Sequence, residues 1–160
     1  AADAAFAGAV DAAQLMANSA KKAGIDIEVI REPNDGYWSN VWNNDAKGWC
    51  ACYWGGRPAE TMMFSAAYVA ESNWNDTMWK TTESAVKFNK LVKDARKELV
   101  ESKKREILYE CQRLIYDDGG LLCPLFNSYV SANSKKIAHG QIAANWDSDG
   151  AKCVERWWFA

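Results

Sequence analysis

Apolar positions along the chain change their period several times, and each change predicts an element. Phe6, Val10, Ala13, Ala17 and Ala20 recur at three- and four-residue steps, which predicts an amphipathic helix over about 4–23 with Gly24 as its C-cap. Ile25, Ile27 and Val29 then alternate with Asp26 and Glu28, the period of a strand. Pro33-Asn34-Asp35-Gly36 is a turn, with Asn34 or Asp35 available to cap a short helix on which Tyr37 and Val41, and Trp38 and Trp42, stand four apart. A polar loop from Asn43 to Gly48 leads to the unbroken run Trp49-Cys50-Ala51-Cys52-Tyr53-Trp54, which reads as a buried strand ending at Gly55-Gly56. The order helix, strand, helix, strand favours an α/β layer with parallel pairing.

The second half is more helical. Met62, Met63 and Phe64 start a short helix, and Asn73-Trp74-Asn75-Asp76 is a polar turn built around an aromatic. Phe88, Leu91, Val92, Ala95 and Leu99 mark a helix over about 83–99; Ile107, Cys111, Leu114 and Ile115 mark another over about 103–117, with Ser102 as its N-cap. Asp117-Asp118-Gly119-Gly120 stops it. Leu121 to Phe126, interrupted by Pro124, is an edge or crossing strand. Short polar and apolar pieces follow, and the aromatic end Trp157-Trp158-Phe159 calls for a partner surface.

Composition narrows the function classes. The 160 residues suffice for one domain with a core, and a net charge of −2 gives no nucleic-acid footprint. The basic run Lys103-Lys104-Arg105 sits among Glu98, Glu101 and Glu106 and is a solvated helix face. No apolar run spans a membrane. Ala1 opens inside a helical pattern, with no signal-peptide pattern before it, which points to a chain cut from something longer.

The five cysteines contain no CxxC and lie far in sequence from the sole histidine, His139, so no metal site is expected. Cys50 and Cys52 share a strand face and cannot easily pair with each other, whereas one bridge between other cysteines is open in an oxidising compartment. Nine tryptophans are the compositional hint of ligand binding.

Candidate chemistry concentrates after the aromatic run. A strand ending in Trp54-Gly55-Gly56-Arg57 makes a cleft mouth in an α/β chain, and a guanidinium fork suits a carboxylate. The plain alternative is a surface arginine at a strand end. Trp74 and Asn75 are candidate solute contacts against the alternative of a surface turn. His139 has no orienting carboxylate nearby in sequence, the Asp117-Asp118 pair reads as an exposed turn, and no GxSxG, HExxH, Walker or GxGxxG motif occurs. No catalytic residue and no cofactor is expected; the balance favours binding over catalysis.

The ordered landmarks resemble the C-terminal part of periplasmic solute-binding proteins of ABC importers, in the dipeptide, oligopeptide and nickel receptor family (solute-binding family 5). Ala23-Gly24-Ile25 running into Val29, Gly36-Tyr37-Trp38, Trp54, Phe88-Asn89 with Leu91, Ala95-Arg96, Arg105 with Leu108-Tyr109 and Gln112, and Asp117-Asp118 leading to Pro124-Leu125-Phe126 carry the likeness. It implies an α/β fold class: a partial lobe of a two-lobed, type II peptide-receptor-like protein, with helices on a small mixed sheet. Residues 1–120 would belong to the C-terminal lobe, and residues 121–160 would cross back to an N-terminal lobe lying outside this sequence.

The resemblance implies a periplasmic or lipid-tethered receptor that captures a small solute, peptide-like or other, and delivers it to a permease. Members that bind peptides often carry an aspartate after the strand tryptophan. Here that loop reads Gly55-Gly56-Arg57-Pro58-Ala59-Glu60, which points to an acidic group on the solute, facing Arg57, with Trp54 and Trp74 as apolar walls. Two other readings stand beside this one. The first is a self-contained interaction domain that oligomerises through exposed aromatics. The second is a Trp-rich carbohydrate-binding module, a class that is usually all-β.

Overall fold

The computed structural model describes residues 1–44, 46 and 48–160. Helix α1 spans Ala9–Lys21, α2 Tyr37–Asn40, α3 Glu60–Met63, α4 Glu83–Lys97 and α5 Glu101–Asp118; strands β1, Ile137–His139, and β2, Trp157–Phe159, pair antiparallel. A π-helical turn, Phe64–Tyr68, continues α3.

The α4–α5 hairpin organises the main core. Ala85, Phe88, Val92 and Ala95 fall three or four apart and form one buried stripe on α4, matched on α5 by Leu108, Cys111 and Leu114. Phe88, fully buried, meets Phe64 and Tyr68 edge-on and Trp79 at a tilt, with centroids 5.5, 6.4 and 5.1 Å away. Thr82 caps α4 by accepting the Ala85 N–H, and Arg96 and Lys97 complement the dipole of its last turn.

Asp118, ending α5, accepts from Trp79 Nε1 (2.8 Å), Thr82 Oγ1 (2.9 Å) and Ser84 Oγ, tying that end of α5 to the start of α4. These donors, Ser84 foremost, hold its carboxyl below the ordinary range. Asn89 braces the same face, accepting from the Ala70 N–H and donating to Ala85 O at 2.9 Å each.

A second, smaller core joins Ala2, Ala5, Ala9, Tyr37 and Val41, with Cys50 and Ala51 against it. Tyr37 donates its hydroxyl to Ala51 O at 2.7 Å, and burial pushes its pKa up to about 12. This bond holds the 49–54 segment in place.

The helices follow the periodic pattern; several boundaries and the strands do not. Residues before Gly8 form turns, so α1 begins at Ala9, and Gly24 leaves the helix in a left-handed conformation (φ 75°). Gly36, not Asn34 or Asp35, occupies the N-cap of α2, while the Asn34 side chain accepts the Ala4 N–H. Helix α4 stops at Lys97 and leaves Leu99 95% exposed in the connection; Val100, not Ser102, precedes α5.

Segments 25–29, 49–54 and 121–126 form no helix and join no ladder. Alternation or an apolar run shows which faces a segment offers, not whether a neighbouring backbone lies within pairing distance. Among the described residues the only ladder is the β1–β2 ribbon, and no parallel pairing occurs. The expected polar loop 43–48 includes Asp45 and Lys47, which lie outside the described residues.

Candidate functional site

Three residues of the N-terminal half converge on one oxygen. Trp42 Nε1 (2.8 Å), Trp54 Nε1 (3.1 Å) and Cys52 Sγ (3.4 Å) all donate to Asp76 Oδ2. Asp76 sits on the turn following the π-helical segment, where its own N–H donates to Trp74 O. It therefore joins the 49–54 segment to the hairpin through charge-assisted bonds. Burial and then Asp76 push the Cys52 thiol up to about 12, and the same causes raise Cys50. Both thiols stay protonated near neutrality, which deprives them of nucleophilic character. All five cysteines are free.

The aromatic rings continue outward. Trp38 meets Trp42 and Tyr53 edge-on, with centroids 5.8 and 5.7 Å apart, and Trp42 tilts onto Trp54 at 6.4 Å. Next along the chain, Arg57 Nη1 donates to Gly55 O (2.7 Å) and Gly56 O (3.3 Å), which curls the loop and fixes its guanidinium. The guanidinium carbon lies 5.8 Å from the Trp54 ring centre and 5.3 Å from that of Trp146. Both contacts fall within cation–π range. Among the described residues the Nε–Nη2 edge of Arg57 carries no hydrogen bond. An arginine edge of this kind suits a carboxylate, which accepts two parallel bonds from it.

Of the residues expected at a solute site, Trp54, Gly55, Gly56 and Arg57 stand together. Asn75 does not contribute a solute contact. It is fully buried, its amide donates to Tyr68 O, Val69 O and Trp79 O, and Thr77 donates to its oxygen. Its role is to brace the turn. Trp74 is 57% exposed, and the rings within cation–π range of Arg57 are those of Trp54 and Trp146. Asp76 and Trp146 were not expected from sequence, because neither belongs to a periodic stripe or a motif.

Other features offer less chemistry. His139 lies over Trp157 with centroids 5.1 Å apart, its Nδ1 2.8 Å from Gly140 O. Among the described residues no group of three His, Cys, Asp or Glu side chains is gathered to hold a metal, and no helix is long and apolar enough to cross a membrane. Depressions of about 480 and 350 Å³ lie along α5 around Glu101, Arg105 and Tyr109, and none of Trp42, Trp54, Arg57 or Trp146 lines either. The smaller one also reaches Leu108 of the buried stripe and Glu60 at the start of α3.

Comparison with family models, with curated proteins and with solved structures found no match to this chain.

Proposed function

We propose that the chain is a non-enzymatic solute-binding element: the later part of the C-terminal lobe of a two-lobed receptor that delivers a small acidic solute to an ABC import permease. The resemblance of the ordered landmarks supports the receptor context, with the periplasm as its compartment. The observation that carries the solute site is Arg57. Its guanidinium is oriented by Gly55 O and Gly56 O, stacked by indoles, and presents an unbonded edge to a carboxylate.

An arginine so restrained loses little side-chain entropy when it pairs with an anion. Arg57→Ala in the complete receptor should weaken solute binding by more than roughly ten-fold, the loss of one bidentate charged contact. Unchanged affinity would overturn the assignment. The gene upstream of Ala1 tests the lobe context. Several hundred preceding codons that open with a signal peptide are expected, and a start codon immediately before Ala1 would sink that context.

Exposed apolar residues favour a second reading, an interaction domain that oligomerises. Phe126, Val130 and Phe159 are 96%, 92% and 85% exposed, and apolar surface of this kind tends to find a partner. Sedimentation equilibrium separates the readings: a dimer lost on Phe159→Ser supports the interaction domain, and a monomer across the concentration range removes it.

A further inference from the structure

We infer that Trp146 is the outer wall of the Arg57 site, so that residues 143–150 form a strap closing over a carboxylate paired with that arginine. The inference rests on the reading of Arg57 as a solute contact, and adds a wall from a distant part of the chain.

Three observations carry it. The first is a pair of rings: Trp54 and Trp146 each lie within cation–π distance of the same guanidinium, at 5.8 and 5.3 Å. The second is Gly55. A Cβ built there would stand 3.0 Å from Trp146 Cζ3 and 3.4 Å from Cη2, so the indole lies directly on glycine backbone and a side chain at 55 would crowd it. The third is how the strap is fastened. Asp149 is buried and accepts from Ala143 N–H (2.6 Å) and Trp157 Nε1 (2.9 Å), with Arg156 Nη1 3.2 Å from its Oδ1. The loop is thereby closed on itself and on the β1–β2 ribbon, independently of any solute. Trp146 itself is 38% exposed, so filling a core does not account for its position.

The physical consequence is shielding. Rings on a guanidinium restrict water above its plane while leaving the Nε–Nη2 edge open. A carboxylate arriving in that plane forms its ion pair in a region of lowered dielectric, where the attraction is stronger than on an open surface.

The test labels the full chain with 5-fluorotryptophan, assigns the Trp146 fluorine resonance by its loss in Trp146→Phe, and uses succinate as the probe. Without probe, Arg57→Ala should shift the Trp146 resonance. An unmoved resonance overturns the wall before any solute is added. With probe, succinate should bind the wild-type chain saturably and bind Trp146→Ala roughly ten-fold more weakly, with Trp146→Phe between them. If succinate binds wild type and Trp146→Ala equally but Arg57→Ala poorly, the wall is overturned and the solute reading of Arg57 stands. If succinate binds neither wild type nor Arg57→Ala, the solute reading falls and the strap proposal with it.

Discussion

Between Glu60 and Asp118 the chain buries Phe64, Phe88, Val92, Cys111 and Leu114 in one apolar cluster, whereas among the described residues between Tyr37 and Arg57 only Tyr37 and Val41 are buried and Trp38, Trp49 and Tyr53 stay 40%, 61% and 64% exposed. The first region is held by area removed from water. The second is held by named polar contacts: Tyr37 to Ala51, and Trp42, Cys52 and Trp54 to Asp76. The indole–aspartate contact recurs at Trp79–Asp118 and Trp157–Asp149. Tryptophan suits this use because its N–H needs an acceptor wherever the ring is half-buried. The difference teaches where function can sit. A region fastened at points, with its rings partly bare, can admit a solute; a region fastened by a closed core cannot without opening it.

The largest effect should come from Phe88→Ala. Its ring touches Phe64, Tyr68 and Trp79, and its loss should cost about 3–5 kcal/mol, a large share of the 5–15 kcal/mol typical of a domain. Urea denaturation followed by circular dichroism should show the helical transition displaced or abolished. A loss below about 1 kcal/mol would show that the cluster is not the main support of the hairpin.

Asp76→Ala comes next and should cost about 2 kcal/mol, since its partners are half-buried and water can reach some of the donors it leaves. Indole emission should shift to the red while amide protection in α4 and α5 is kept. Loss of that protection would mean that the two regions unfold as one, and the contrast drawn between them would fail.

Helices α4 and α5 were legible because burial of one face writes a three-and-four spacing into the chain: Ala85, Phe88, Val92, Ala95 on one and Leu108, Cys111, Leu114 on the other. The run Trp49 to Trp54 reads as a strand in the sequence, but it joins no ladder. Its anchors are side-chain bonds from Trp42, Cys52 and Trp54 to a carboxylate more than twenty positions downstream, and no local pattern encodes such a meeting. Arg57 stood out through its chemistry and its glycines. Trp146 carried no signal, because an aromatic in the polar stretch Asn145-Trp146-Asp147 resembles any surface turn until the fold lays it on Gly55. Asn75 misled for the opposite reason: a polar residue beside an exposed tryptophan suggested a ligand contact, while its amide was needed for backbone carbonyls.

The smallest effect expected sharpens the contrast from the hairpin's outer surface. Arg113 first, and then Lys87, lower the Glu110 pKa from 4.5 to about 2. Lys87–Glu110 links α4 to α5 at 2.5 Å, and Arg113 also reaches Asp117 at 2.7 Å. A carboxylate whose folded pKa is depressed stabilises the fold above its unfolded pKa, and that contribution is lost as pH falls through the folded value. The window therefore runs from about 4.5 down to about 2. Glu110→Gln should lower hairpin stability slightly at pH 6, and its difference from wild type should close by pH 2. Molar salt should shrink the difference at pH 6, because these side chains are in contact with solvent. The aromatic side should be indifferent to the same substitution, with unchanged indole emission across the titration. A parallel change there would mean that surface charge on α5 is felt at Asp76, across a seam made by the bonds of Trp42, Cys52 and Trp54 to that carboxylate and by Trp54 packing against the main core.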